Sequence, residues 1–139
     1  MRFVLDTNIL IAALIKNSLT RQILLHPDIE FVVPEHALEE IERHMSRIVK
    51  CARMDREEVE LLLSILLESV TVIPFEEIAG SIDKAGEMIG AFDPDDVPFV
   101  ALALAVENDG IWSNDGAFEN LKKIRVWRTS DMREYFLDN

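Results

Sequence analysis

The chain's 139 residues, 49% of them hydrophobic, suffice for one domain with its own core and argue against disorder. Its net charge of −12 argues against a protein that coats nucleic acid by bulk attraction, and a lone cysteine, Cys51, excludes an intrachain disulfide. The longest apolar run, 97–106, is too short to span a bilayer, and Asp6 and Asn8 interrupt the first apolar stretch, so neither membrane association nor a signal peptide is expected and a reducing cytoplasm is the natural setting.

In chain order, residues 3–5 form a short apolar run that ends at Asp6 and reads as a buried strand. Residues 9–16, apolar nearly all round, read as a helix close to the core. Ser18 or Thr20 is expected to cap a short helix ending near His26 and Pro27. A second strand over 31–33 stops at Pro34. From 35 to 53, Ala37, Ile41, Met45, Ile48 and Ala52 keep helical spacing and predict one continuous helix. Asp55, with Glu58 three residues on, predicts a capping box opening a helix through about residue 68. The β-branched run 70–73 reads as a strand closed by Pro74, and 76–90 as a helix despite Gly80 and Gly86. Asp93-Pro94-Asp95-Asp96 predicts a turn with at least one helix cap, followed by a helix through about 107. A strand over 110–113, a short helix over 117–122, a last strand over 124–127 and a final helix capped by Ser130 complete the chain. The alternation predicts the α/β class, a parallel sheet with helices on both faces. No internal repeat, linker or Gly-rich phosphate loop is present.

In such a sheet, ligands bind beyond the carboxyl ends of the strands, near a topological switch point. Asp6 and Asp115 stand just past strands, Asp96 opens a helix, and Glu40 lies in the first turns of the helix after the second strand. Four carboxylates therefore have reason to meet on one edge. Unit charges about 4 Å apart repel by roughly 4 kcal/mol at an effective dielectric near 20. A divalent cation removes that repulsion, hard oxygen donors suit Mg²⁺ or Mn²⁺, and a metal so held serves phosphodiester hydrolysis. Each acid also has a plain structural reading: Asp6 as a helix cap, Glu40 as a surface charge, one or more of Asp93, Asp95 and Asp96 as caps, and Asp115 before Gly116 as a turn residue. Their joint placement carries the chemistry.

These residues resemble the PIN-domain family, which includes the VapC-type toxins of toxin–antitoxin pairs. The resemblance runs the length of the chain: Val4-Leu5-Asp6-Thr7-Asn8; Val33-Pro34, then Glu39-Glu40-Ile41; Asp93-Pro94-Asp95-Asp96 leading into Ala101-Leu102-Ala103-Leu104-Ala105; and Ser113-Asn114-Asp115. It implies a three-layer α/β/α sandwich with a five-stranded parallel sheet. It also implies a Mg²⁺- or Mn²⁺-dependent endoribonuclease whose catalytic and metal-binding acids are Asp6, Glu40, Asp96 and Asp115. Glu39 is the alternative to Glu40. Asn8 and Asp93 stand in supporting places, and Ser113 keeps the hydroxyl of the more usual Thr. An RNA substrate, an antitoxin protein and a homodimer are the partners it implies.

Arg43, Arg47, Lys50, Arg53 and Arg56 fall in a stretch whose only acid is Asp55. On one helical wheel Arg43, Arg47 and Lys50 share a face, with Glu40 within about 60° of Arg43. This stripe is expected to bind RNA and lead its phosphates to the acids; otherwise it is a solvated face paired with nearby carboxylates. Three other readings compete. A haloacid-dehalogenase-type phosphatase needs a second Asp where this chain has Asn8. His36, Glu40 and His44, four apart, have a spacing that can hold zinc, but no Cys partner is evident, and the two histidines read as helix-surface residues. A catalytically silent PIN-like module binding RNA or protein is opposed by retention of all four acids. Cys51 reads as a packed or partly exposed thiol. DNA cleavage stays open, since metal-held carboxylates do not read the 2′-hydroxyl.

Overall fold

The computed structural model describes residues 1–16, 18–89, 93–119 and 121–138, and of Ser18 only its backbone. Five parallel strands, β1 (Arg2–Leu5), β2 (Glu30–Pro34), β3 (Val70–Ile73), β4 (Ile111–Trp112) and β5 (Val126–Trp127), lie in the order β3-β2-β1-β4-β5. The central strand reads as an unbroken apolar run because both its faces are covered: Phe3, Val4 and Leu5 have no exposed surface. Register pairs Phe3 with Phe31, Leu5 with Trp112, and Trp112 with Trp127, which places the large side chains across the middle of the sheet. Phe3 meets Trp127 edge-to-face at 5.1 Å between ring centroids.

The helices are α1 (Thr7–Ile15), α2 (Ser18–Leu24), α3 (His36–Arg43), α4 (Met45–Ala52), α5 (Arg56–Leu67), α6 (Phe75–Ile78), α7 (Ile82–Ile89), α8 (Val97–Ala105) and α9 (Thr129–Phe136). One layer is built around α1, which packs on α2, α3, α4 and α5, with α9 against α2; the other joins α6, α7 and α8. Right-handed crossovers require this split. Connections running from β1 to β3 lie on one face, and the return from β3 to β4 must lie on the other. The three-layer α/β/α architecture with a five-stranded parallel sheet is therefore as expected from the sequence.

Several elements differ from the sequence expectation. The helix expected over 35–53 breaks at His44 (φ −100°, ψ 8°) into α3 and α4. No proline or glycine marks the break. It follows packing: α3 lies on β2 and α1, while α4 lies on α1 and α5. Ala37, Ile41, Met45 and Ile48 are buried, and Ala52 only partly. Asp55 and Glu58 do form the capping box. The helix expected over 76–90 opens as α6 and a 3₁₀ turn, Ala79–Ser81, before α7; its expected end at Gly90 lies outside the described residues. Instead of a helix over 117–122 there is a 3₁₀ turn, Gly116–Phe118, with Asn120 outside the described residues. Ser130 sits inside α9 rather than capping it; the backbone N–H of Arg128, the N-cap residue, donates to Asp131. The capping expected of Ser18 falls on a side chain outside the described residues, and Thr20 lies inside α2.

Candidate active site

Strand order reverses at β1, with β2 and β3 on one side and β4 and β5 on the other. The crevice beyond the carboxyl ends of β1 and β4 is thus the switch point. Asp6 is the first residue past β1. Its extended backbone (φ −69°, ψ 142°) turns the chain into α1, and its N–H donates to the Trp112 carbonyl at 3.2 Å. It caps α1, Oδ1 accepting from the Asn8 N–H at 3.5 Å, while Oδ2 accepts from the Ser113 hydroxyl at 2.7 Å. Both Asp6 and Ser113 are buried. Burial pushes the Asp6 carboxyl up to about 6 despite these two hydrogen bonds, which favour the carboxylate; the charges of Asp115 and Glu40 add to the rise.

Asp115 follows β4. Its N–H donates to Ser113 Oγ at 3.0 Å, and its Oδ1 accepts from the Ala117 N–H at 2.9 Å, so the turn reading is correct as far as it goes. Ser113 therefore bridges Asp6 and Asp115. Glu40 reaches the same edge from α3. The side chain of Glu40 is 16% exposed and its charge acts on Asp6 and Asp96, whereas that of Glu39 is 71% exposed, so of the two adjacent acids Glu40 is the neighbour of the cluster. Thr7 Oγ donates to Glu40 Oε1 at 2.7 Å.

Asp96 ends the 3₁₀ turn Pro94–Asp96 and leads into α8, buried to 7% exposure. It makes no side-chain capping bond; Asp93 caps instead, its Oδ1 accepting from the Asp95 N–H at 2.9 Å and its carbonyl from the Asp96 N–H at 3.1 Å. Asp96 Oδ2 is buried without a hydrogen-bond partner among the described residues. Burial, then the charges of Asp93, Asp115, Asp6 and Glu40, push the Asp96 carboxyl up to about 7. The four acids are thus electrostatic neighbours. Among the described residues, however, no three His, Cys, Asp or Glu groups are already gathered as a metal-ligand set. The donor chemistry nonetheless suits a hard divalent cation: carboxylate oxygens only, one of them buried and unpartnered, and two acids whose ionisation the site itself opposes.

One neighbour of Glu40, Thr7, escapes sequence reading, and a second, His36, sits differently from its expected place. Nothing along the chain links Thr7 to residue 40. His36, expected on the helix surface, is half-buried against Phe99, its Nε2 3.6 Å from Glu40 Oε1 and without a hydrogen bond. His44 is exposed at the break after α3, so His36, Glu40 and His44 assemble no zinc site. Asn8 is exposed and contributes its backbone N–H. Arg43, Arg47 and Lys50 are all exposed, but they do not share one wheel, because Arg43 ends α3 and the other two lie on α4. None of the three is ion-paired among the described residues, whereas Arg56 is held by Glu42 and Glu60. The reading of the stripe as a face neutralised by its neighbours is therefore not supported for these three. Cys51 is exposed.

The PIN-domain family model matches residues 4–137, a span that contains all four acids. The chain belongs to the PIN-domain family. Among solved structures, this PIN domain is similar to a chain in the crystal structure of VapBC2 from Rickettsia felis bound to a DNA fragment from their promoter. The TM-score is 0.69 at 19% identity, over 92% of this chain and 98% of that one, a likeness of fold. No curated protein matches the sequence. The PIN-type sheet thus brings Asp6, Glu40, Asp96 and Asp115 to one edge, with Ser113 and Thr7 hydrogen-bonded to two of them.

Proposed function

We propose that this PIN domain is a metal-dependent endoribonuclease whose Mg²⁺ or Mn²⁺ is held by Asp6, Glu40, Asp96 and Asp115. The observation that carries the reading is the buried, unpartnered Asp96 Oδ2 among three further acids at the switch point. An isolated buried carboxylate is costly, and a protein retains one where something else satisfies it. PIN-family membership supports divalent-metal nuclease chemistry in general. A bound cation supplies an activated water and stabilises charge on the phosphate. The chain's own part is positional. Ser113 fixes Asp6 and Asp115 relative to each other, Thr7 fixes Glu40, and Asp93 sets the turn that presents Asp96. Arg43, three residues from Glu40 on α3, and Arg47 and Lys50 on α4 offer phosphate contacts.

The Rickettsia felis neighbour is a VapBC2 complex. By that likeness this chain is read as the toxin of a toxin–antitoxin pair with an antitoxin partner; the homodimer belongs to the same proposal on the family resemblance alone. The test of the enzymatic reading is cleavage of a fluorophore-labelled, mixed-sequence single-stranded RNA by the purified chain with Mn²⁺, Mg²⁺ or EDTA. Cleavage with either metal and none in EDTA, with Asp6→Asn folded but inactive, is expected. Full activity in EDTA, or an unimpaired Asp6→Asn protein, overturns it.

A further inference from the structure

A second cationic surface lies on the other side of the acids. Residues 121–128 carry Lys122, Lys123, Arg125 and Arg128 with no acid among them, in a chain of net charge −12. They line a cleft of about 490 Å³ beside β5, where the only acids among the described residues are Glu119 and Asp131. Both acids are engaged: Glu119 pairs with Arg128, and Asp131 accepts from the Arg128 backbone N–H at 2.8 Å. Arg125 is stacked over the Trp127 indole, 3.8 Å from its centroid, which fixes its guanidinium. Lys122 and Lys123 are exposed and not ion-paired among the described residues, and on their far side Lys84 and Glu87 of α7 join them around a second depression.

The Arg128 end of this surface is tied to the acid cluster. Arg128 Nη1 donates to the Asn114 carbonyl at 3.4 Å, the Thr129 N–H donates to Asn114 Oδ1 at 2.9 Å, and the Ser113 N–H donates to the Trp127 carbonyl at 3.0 Å. Asn114 sits between Ser113, which holds Asp6, and Asp115. The cleft is therefore anchored one residue from the proposed catalytic edge. In the strand order, α3 and α4 leave the β2 side of β1, and the Lys122–Arg128 segment lies on the β5 side. In strand order the acids thus have unpaired cations on either side among the described residues, Arg43, Arg47 and Lys50 on one and Lys122 and Lys123 on the other.

Resting on the ribonuclease reading, we infer that the Lys122–Arg128 cleft binds the phosphodiester backbone of the RNA strand on the β5 side of the cut. The substrate then crosses the acids with backbone held on both sides, an arrangement that suits internal cleavage. Contacts of this kind position a strand without reading its sequence. A general electrostatic role for any anion is separated from this by the strand's need for several phosphates in a row.

The test uses the full chain carrying Asp6→Asn, so that RNA is bound and not consumed. Anisotropy of a labelled, mixed-sequence single-stranded RNA of about twelve nucleotides is followed against salt. Lys122→Ala/Lys123→Ala is the variant, because both side chains are exposed, whereas Arg125 and Arg128 make packing and capping contacts. Lys16→Ala/Arg133→Ala removes the same charge elsewhere. Two lost phosphate contacts should flatten the slope of log K against log salt by about 1.4 and weaken binding roughly 10- to 30-fold at 0.1 M salt. The control should leave the slope unchanged. In the otherwise wild-type enzyme, KM should rise with kcat held. An unchanged slope in the cleft variant, or an equal loss in the control, overturns the inference while leaving metal-dependent cleavage standing. Conversely, absence of cleavage with a lysine-dependent slope removes the enzymatic reading alone. If polyglutamate binding depends on Lys122 and Lys123 while RNA binding does not, the cleft serves an acidic protein and the inference fails.

Discussion

Asp96 illustrates how one side chain can be costly and retained. Its carboxyl is raised to about 7 by burial and by the surrounding acids, and that of Asp6 to about 6. An acid whose folded pKa exceeds its unfolded value near 3.9 keeps its proton longer in the native state. Metal-free stability from this pair is therefore highest below about pH 4. It falls as pH rises through 6 to 7, and the cost is complete above that window. Asp96→Asn abolishes the titration without removing a cap, since Asp93 does the capping. At pH 8 in EDTA the variant should melt higher, by roughly 1–3 kcal/mol or several degrees, with the gain gone by about pH 4. A variant that melts lower in EDTA at pH 8 would show the carboxylate to be a structural asset. Ser113 works in the opposite direction, because its hydroxyl favours the Asp6 carboxylate. Ser113→Ala should move the acid limb of the pH–rate profile upward, whereas Ser113→Thr, which keeps the hydroxyl, should leave it in place. Identical profiles for the three proteins would remove Ser113 from the site.

At the scale of elements, the short strands β4 and β5 matter most, because Ser113, Asp115 and the cationic cleft hang from them. Gly110 sets their approach. Its φ is +138°, and a Cβ there would run into the Arg125 carbonyl and lie 2.8 Å from Trp127 Cδ1. Both the backbone region and the close contact demand glycine. Gly110→Ala should cost about 2 kcal/mol or more, from the strained φ plus the displaced β5. It should also lower activity beyond what the lost stability explains, because Asn114 and Ser113 are bonded to the Trp127–Thr129 segment. Urea unfolding alongside RNA cleavage measures both; a stable variant with normal turnover would show that β5 can shift without disturbing the acids. The α3–α4 break acts at the same scale. It sends Glu40 and Lys50 out on different axes, so the stripe drawn on a single wheel is distributed over two helices.

For the whole molecule, the proposed substrate poses a difficulty, a polyanion that must meet a chain of net charge −12. Cations are therefore worth most where they are concentrated and unpaired. On the α3–α4 side, Arg43→Ala/Arg47→Ala should flatten the salt dependence of RNA binding by about 1.4 in slope, each arginine standing for one phosphate. An unchanged slope excludes that surface from the path. Metal adds to the same balance. Binding to the native state alone should raise the melting temperature of the wild-type protein in Mn²⁺ relative to EDTA, and by more than it raises that of Asp96→Asn. Equal shifts in the two proteins would place the cation elsewhere.

Much of this was legible along the chain because it is local or periodic. The apolar runs of β1 and β2, the Asp55–Glu58 capping box, and acids sitting just past strand ends all depend on neighbours within a few residues. The alternation of strands and helices then determined the parallel, three-layer class, since right-handed crossovers leave few other arrangements. What the tertiary structure alone decided is non-local. The break at His44 follows from what α3 and α4 each pack against, and no residue announces it. Glu40 rather than Glu39 faces the acids because of how α3 lies on β2. Thr7 meets Glu40 and Ser113 meets Asp6 only once separate segments are brought to one edge. Burial sets the raised carboxyls, and burial is a property of the assembled sheet and helices, which no stretch of sequence carries by itself.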